Sequence, residues 1–198
     1  MNRSVRVILI SVGAFVLLLG LTFAFTYNSL VKKEVTIDEA YADVISRLNE
    51  RQATVQQLLG VVSGMAAQEQ AIINAITQAR SDYNDAATEN DLEGMITADN
   101  AYVSSITDLL VVVENYPDIA SSQGFLDLMV TISGIESGLY VARKDYNDAV
   151  GEYNKSIRLF PTVIIASMFP FEDSYEYWRL NEGAADIPEI NFGTYAAD

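Results

Sequence analysis

The sequence predicts an all-α protein: an N-terminal transmembrane helix followed by an elongated antiparallel four-helix bundle with short C-terminal helices. Three observations carry this reading. Residues Val7 to Phe25 contain no ionisable side chain. Beyond them, apolar residues recur at spacings of three, four and seven, the period of a helix. No segment alternates with period two for long, and Gly and Pro do not cluster as they do between hairpin strands. The organisation that follows is a short tail over residues 1–6, an anchor over 7–26, a helical bundle over 27–193 and a mobile tail over 194–198.

The anchor comes first. At about 1.5 Å per residue, the run VILISVGAFVLLLGLTFAF nearly crosses a hydrocarbon core of about 30 Å, which sets Val7 and Phe25 as the limits of the span. A cleaved secretory signal is the rival reading. It requires a shorter apolar run and small residues at the cleavage point, whereas the stretch from Thr22 to Thr26 stays bulky. Arg3 and Arg6 precede the span while Lys32 and Lys33 follow it, so the basic flanks are nearly balanced. The expectation is a single-pass protein of the cell membrane or an internal membrane, with its soluble domain outside the cytoplasm.

Four stripes follow. The first runs through Ile37, Tyr41, Val44, Leu48, Val55, Leu58 or Leu59, Val62 and Met65; its helix begins near Ser29 or continues from the span, and weakens at Gly60 and Gly64. Ile72, Ile76, Ala79, Tyr83 and Ala86 form the second. Thr88 is a candidate N-cap for the third, which carries Leu92, Met95, Tyr102, Ile106, Leu109, Val113 and Tyr116. Glu89 and Asp91 suit the positive end of that helix. Pro117 predicts a turn. The fourth stripe, from Phe125 through Leu139, Tyr146 and Tyr153 to Phe160, stops at Pro161 and predicts a helix approaching 60 Å at about 1.5 Å per residue.

Composition narrows the chemistry. The chain has 198 residues, 12 Lys plus Arg against 27 Asp plus Glu, and neither Cys nor His. Disulfides, Cys or His metal ligands, thiol chemistry and Ser-His-Asp arrangements are therefore excluded. A net charge of −15 argues against nucleic acid, whose binding needs clustered Lys and Arg. From Glu34 onward only eight bases oppose all 27 acids, a balance of −19. Between Arg80 and Arg143 lie eleven acids and no base.

That gap defines a candidate acidic docking face of Asp82, Asp85, Glu89, Asp91, Glu93 and Asp99. Its plainest role is solubility; its functional role would be to receive basic protein surfaces or other membrane proteins. The near-repeats Ala79–Ala86 and Ala142–Ala149 differ only at their third position and each set a stripe tyrosine among acids. Oxygen ligation of a divalent cation is the alternative use of such carboxylates, but no EF-hand loop or Glu-x-x-His pair accompanies them. Neither a catalytic residue, a metal ligand nor a cofactor is assigned, and a small-molecule substrate is not expected. Tyr153 and Asn154 read as bundle packing, with the Asn able to fix register.

A second candidate surface is aromatic. Phe169, Phe171, Tyr175 and Trp178 belong to a dense apolar stretch beginning at Phe160. These rings either fold back over one end of the bundle or meet a membrane interface or a partner. Residues Gly183 to Asp198 are polar enough to be partly mobile.

Several motifs in order resemble one family. They are Tyr27-Asn28-Ser29-Leu30-Val31 after an N-terminal span, Val35 to Leu48 as VTIDEAYADVISRL, and Glu114-Asn115-Tyr116-Pro117-Asp118. Tyr146 to Val150 with Tyr153-Asn154, Phe160-Pro161, Phe169-Pro170-Phe171 and Ile187 to Phe192 continue the series. Together they resemble the LemA family over roughly residues 27 to 193. The resemblance implies a membrane-tethered helical bundle without an established activity, and by analogy a scaffold or adaptor. Where the family has an Arg-Arg pair and an Ile-Pro-Asn-Leu segment, this chain has Asn49-Glu50-Arg51 and Thr54 to Leu58. The charged groove of relatives is therefore expected to be missing.

Overall fold

The computed structural model describes residues 3–64 and 69–179, and no strand occurs among them. The helices are α1 (Arg3–Val61), closed by a 3₁₀ turn at Val62–Gly64, α2 (Gln70–Glu89), α3 (Leu92–Val113), α4 (Pro117–Ala120), α5 (Gln123–Ser156) and α6 (Thr162–Met168). α1 runs 59 residues without a break, joining the apolar run to the first stripe. The glycines at 60 and 64 mark where it tightens and ends, as their low helix propensity predicts.

The turn between α2 and α3 departs from expectation. Thr88 stays inside α2, donating from Oγ1 to the Asn84 carbonyl at 2.8 Å. Asn90 takes the left-handed conformation, φ 56°, which Asn tolerates better than most residues. Asp91 is the N-cap of α3: its side chain accepts from the Gly94 N–H at 3.0 Å. A methyl at Gly94 would collide with the Asp91 carboxylate and stand 3.1 Å from the Ala86 Cβ, so the bare Cα allows this close approach of the two helices.

Two other ends were also shifted from the sequence reading. Pro117 does not simply mark a turn but opens α4 from its first position, where its missing N–H has no helical partner to lose. α5 stops at Ser156 rather than Phe160, and its 34 residues span about 51 Å. Beyond Ser156 the chain tightens, the Arg158 and Leu159 N–H groups reaching back three residues to Lys155 and Ser156. Pro161 requires this, since it lacks a donor and disfavours helix at the residue before it.

The described residues fall into two compact units, one of residues 3–42 and 145–177, the other of 43–144 and 178–179. In the second, one core draws on four helices: Val55 and Leu58 of α1, Ile76 and Ala79 of α2, Tyr102, Ile106 and Leu109 of α3, and Phe125, Met129 and Ile132 of α5. In the first, Leu30 and Ile37 of α1, Tyr146, Val150 and Tyr153 of α5, and Ile165 of α6 are buried. The four predicted stripes thus supply most of the buried positions; Tyr41, Leu59, Ile72, Leu92 and Tyr116 are half-buried, Phe160 at the end of the fourth is exposed, and Met65 lies outside the described residues. So do Ile187 to Phe192 and the tail expected to be mobile.

Three described helices are long and apolar enough to cross a membrane: α1 with its closing turn, α3 and α5. They differ in what becomes of their apolar surface. The most apolar window of α1 has none of its residues buried, whereas α3 and α5 commit their stripes to the core.

Candidate functional site

Five of the six candidate docking acids are exposed: Asp82, Asp85 and Glu89 on α2, Asp91 at the cap and Glu93 in the first turn of α3. The turn at Asn90 brings Asp82, Asp91 and Glu93 to one open depression of about 460 Å³, floored by Ala86, Gly94, Ala98 and Ala101. Asp82 accepts from the Gln78 amide at 2.8 Å, and Asp91 is engaged by its cap bond. The depression is therefore a shallow, negatively charged dish whose acids also fit the positive end of α3. Among the described residues no three His, Cys, Asp or Glu side chains group so as to hold a metal ion.

Asp99 does not belong to this face. It is 2% exposed, and its two carboxylate oxygens meet the guanidinium groups of Arg51 and Arg143. Arg51 also reaches Glu136 at 3.1 Å, so two buried cations face two carboxylates. The Arg51 guanidinium lies 5.3 Å from the centre of the Tyr102 ring, and that of Arg143 5.6 Å from the centre of Trp178. Burial, followed by repulsion from Arg51, pulls Arg143 down to about 10, and burial pushes the Tyr102 phenol up to about 12. Of the eleven acids between Arg80 and Arg143, Asp99 and Glu136 turn inward to the arginines; the other nine are exposed. Arg51 itself is 1% exposed, so its charge lines no open groove.

The aromatic candidates divide in the same way. Trp178 is 2% exposed and is a core residue of the second unit, not a surface ring. Phe169, Phe171 and Tyr175 are half-buried in the first. Phe169 packs edge-on against Phe23 and Tyr27, with centroids 5.7 and 5.0 Å away, and Phe171 against Tyr27 at 5.4 Å. Tyr175 packs on Tyr153 at 4.9 Å.

The extended segment carrying Tyr175 is held by residues of α5. The Asn154 amide donates to the Tyr175 carbonyl at 2.8 Å and accepts from the Tyr175 N–H at 2.9 Å. Tyr153 donates to the Glu172 carbonyl at 2.8 Å, and Tyr146 to that of Glu176 at 3.0 Å. Asn154 therefore fixes the path of a following strand-like segment, where the sequence suggested helix register. Burial and the neighbouring Tyr41 push Tyr146 up to about 12; burial and Glu34 push Tyr153 higher still.

Over 98 residues, half of this chain, the sequence is 30% identical to the magnetosome proteins MamQ 1 and MamQ 2 of Paramagnetospirillum magneticum. It is 24% identical over the same length to the magnetosome protein MamQ of Magnetospirillum gryphiswaldense. The matched stretch spans 35% of the length of each of these relatives. The sequence profile of the LemA family matches residues 40–192, more than half of the chain, and the chain therefore belongs to the LemA family.

Proposed function

We propose that this LemA-family protein is a single-pass, membrane-anchored docking protein without catalytic activity, which receives basic surfaces of other membrane proteins on its acidic face. The observation that carries the anchor is the contrast among the three apolar helices: only in α1 is the apolar window wholly unburied. Such a surface is stable in hydrocarbon and costly in water. The docking role rests on the nine exposed acids between Arg80 and Arg143, with no Lys or Arg among them. Complementary charge speeds encounter and selects partners. The designation of the magnetosome relatives names a cellular structure and no reaction, which supports an interaction role.

The test is cross-linking in membranes of the native host, comparing the parent with a variant carrying Asp82→Asn, Asp91→Asn and Glu93→Gln. Asn preserves the cap of α3. Partners captured by the parent at low salt should be lost as salt rises and the Debye length shrinks to about 8 Å near physiological ionic strength, and the variant should capture fewer. A partner set indifferent to salt and to the variant contradicts docking on this face.

A further inference from the structure

We propose that the segment from Leu159 to Met168, centred on α6, lies on the membrane surface, with its exposed apolar side chains in the boundary between headgroups and acyl chains. The observation is a juxtaposition within one unit. Phe169, the residue immediately after α6, packs against both Phe23 and Tyr27, which flank Phe25, the end of the apolar run. The C-terminal end of α6 is thereby held level with the point where α1 leaves the apolar run.

At that level the segment presents hydrocarbon. Ile165 is buried and ties α6 to the protein, while Leu159, Phe160, Val163, Ile164 and Met168 are exposed, Phe160 at 81%. Five large apolar side chains in ten residues are an unusual load for a water-facing surface. The polar groups there suit an interface. Ser167 donates to the Ile164 carbonyl at 2.8 Å, so its hydroxyl needs no water. Lys155 and Arg158, both exposed, stand just before the apolar residues, where long basic side chains can reach phosphates. Tyr27, packed on Phe171 at 5.4 Å, adds a ring of the kind enriched at that depth. A lipid surface is the occupant because the anchor holds the segment beside one; a short helix with an apolar outer face would then make a second contact with the bilayer.

This inference rests on the anchor proposed above, and the test separates the two. The chain has no cysteine, so single Cys variants of the full-length protein can carry one environment-sensitive fluorophore each. The variants are Val16→Cys in the apolar run, Ile164→Cys and Met168→Cys in the segment, and Glu39→Cys on α1, about 20 Å beyond Phe25 at 1.5 Å per residue. They are reconstituted in phosphatidylcholine vesicles with nitroxide-labelled lipids, and iodide serves as the aqueous quencher. Labels at 164 and 168 should be quenched several-fold more strongly by headgroup-proximal nitroxides than the label at 39, and the label at 16 by mid-chain nitroxides. If 16 responds but 164 and 168 respond to iodide as 39 does, the surface contact is wrong and the anchor stands. If 164 and 168 are shielded from both quenchers, protein covers them and the lipid assignment is overturned. If 16 is not quenched, the anchor fails and this inference fails with it.

Discussion

Asp99 and Arg143, forty-four positions apart, form an ion pair inside the core, with side chains 2% and 10% exposed. Arg51 occupies the other oxygen of the same carboxylate and extends the contact to Glu136. One aspartate of α3 thus joins α1 and α5 by charge where the surrounding positions join them by apolar packing. Removing one member of such a network strands the others without solvation, which costs far more than the assembled network contributes.

Asp99→Asn should therefore lower stability by about 3–5 kcal/mol, the range for breaking a buried pair. Thermal melting followed by circular dichroism checks it. Asp85→Asn, at an exposed position on α2, should change stability by less than about 0.5 kcal/mol. Equal behaviour of the two variants would remove the buried network from this account.

Leu139 is wholly buried on α5 between Ile135 and Ala142. Leu139→Asp should abolish folded expression or strip the cooperative melt, because an unpaired carboxylate would be forced into the core at a cost of several kcal/mol. A variant that melts with the parent would show that this face of α5 is not packed.

Asn154→Ala removes both hydrogen bonds that hold Tyr175. The expected loss is about 1–3 kcal/mol at roughly 1 kcal/mol per bond plus the unpaired backbone groups. It should be local: hydrogen exchange should quicken at Tyr175 and its neighbours while the core amides of α3 keep their protection. Uniformly faster exchange would make Asn154 a general core residue instead.

Alkali should destabilise the fold through its buried tyrosines. Tyr102 and Tyr146 are raised from 10.0 to about 12. A folded-state value above the unfolded one means their contribution is complete below about pH 10 and is lost as pH rises through about 12, at about 1.4 kcal/mol per pH unit for each group. Tyr153, raised further, acts with the same sign. Arg143, lowered to about 10, acts with the opposite sign and offsets one of them. Denaturant midpoints should fall steadily from pH 10 to 12, and phenolate absorbance should rise with the unfolding transition. A midpoint flat across that window contradicts the burial of these phenols.

The apolar stripes made the helices and most of the core legible, because burial follows a period of 3.6 wherever one face is apolar. The buried charges were missed for a specific reason. The stripes skip seven positions from Leu48 to Val55 and from Met95 to Tyr102, and Arg51 and Asp99 occupy those gaps at three and four residues from their stripe neighbours. A charge at a core register, matched by an opposite charge at another, was the available signal. Trp178 and Asn154 had no such signal. Their roles depend on where an extended segment returns along α5, which no local periodicity encodes.

On the proposed function, α1 anchors the folded protein in a bilayer through Val7 to Phe25. The most direct test is the state of the mature protein in native membranes: N-terminal sequencing combined with alkaline carbonate extraction. The mature protein should carry an N-terminus before Val7 and stay in the membrane pellet until detergent releases it. A mature terminus between Phe25 and Val31, with the protein in the carbonate supernatant, would contradict the anchor.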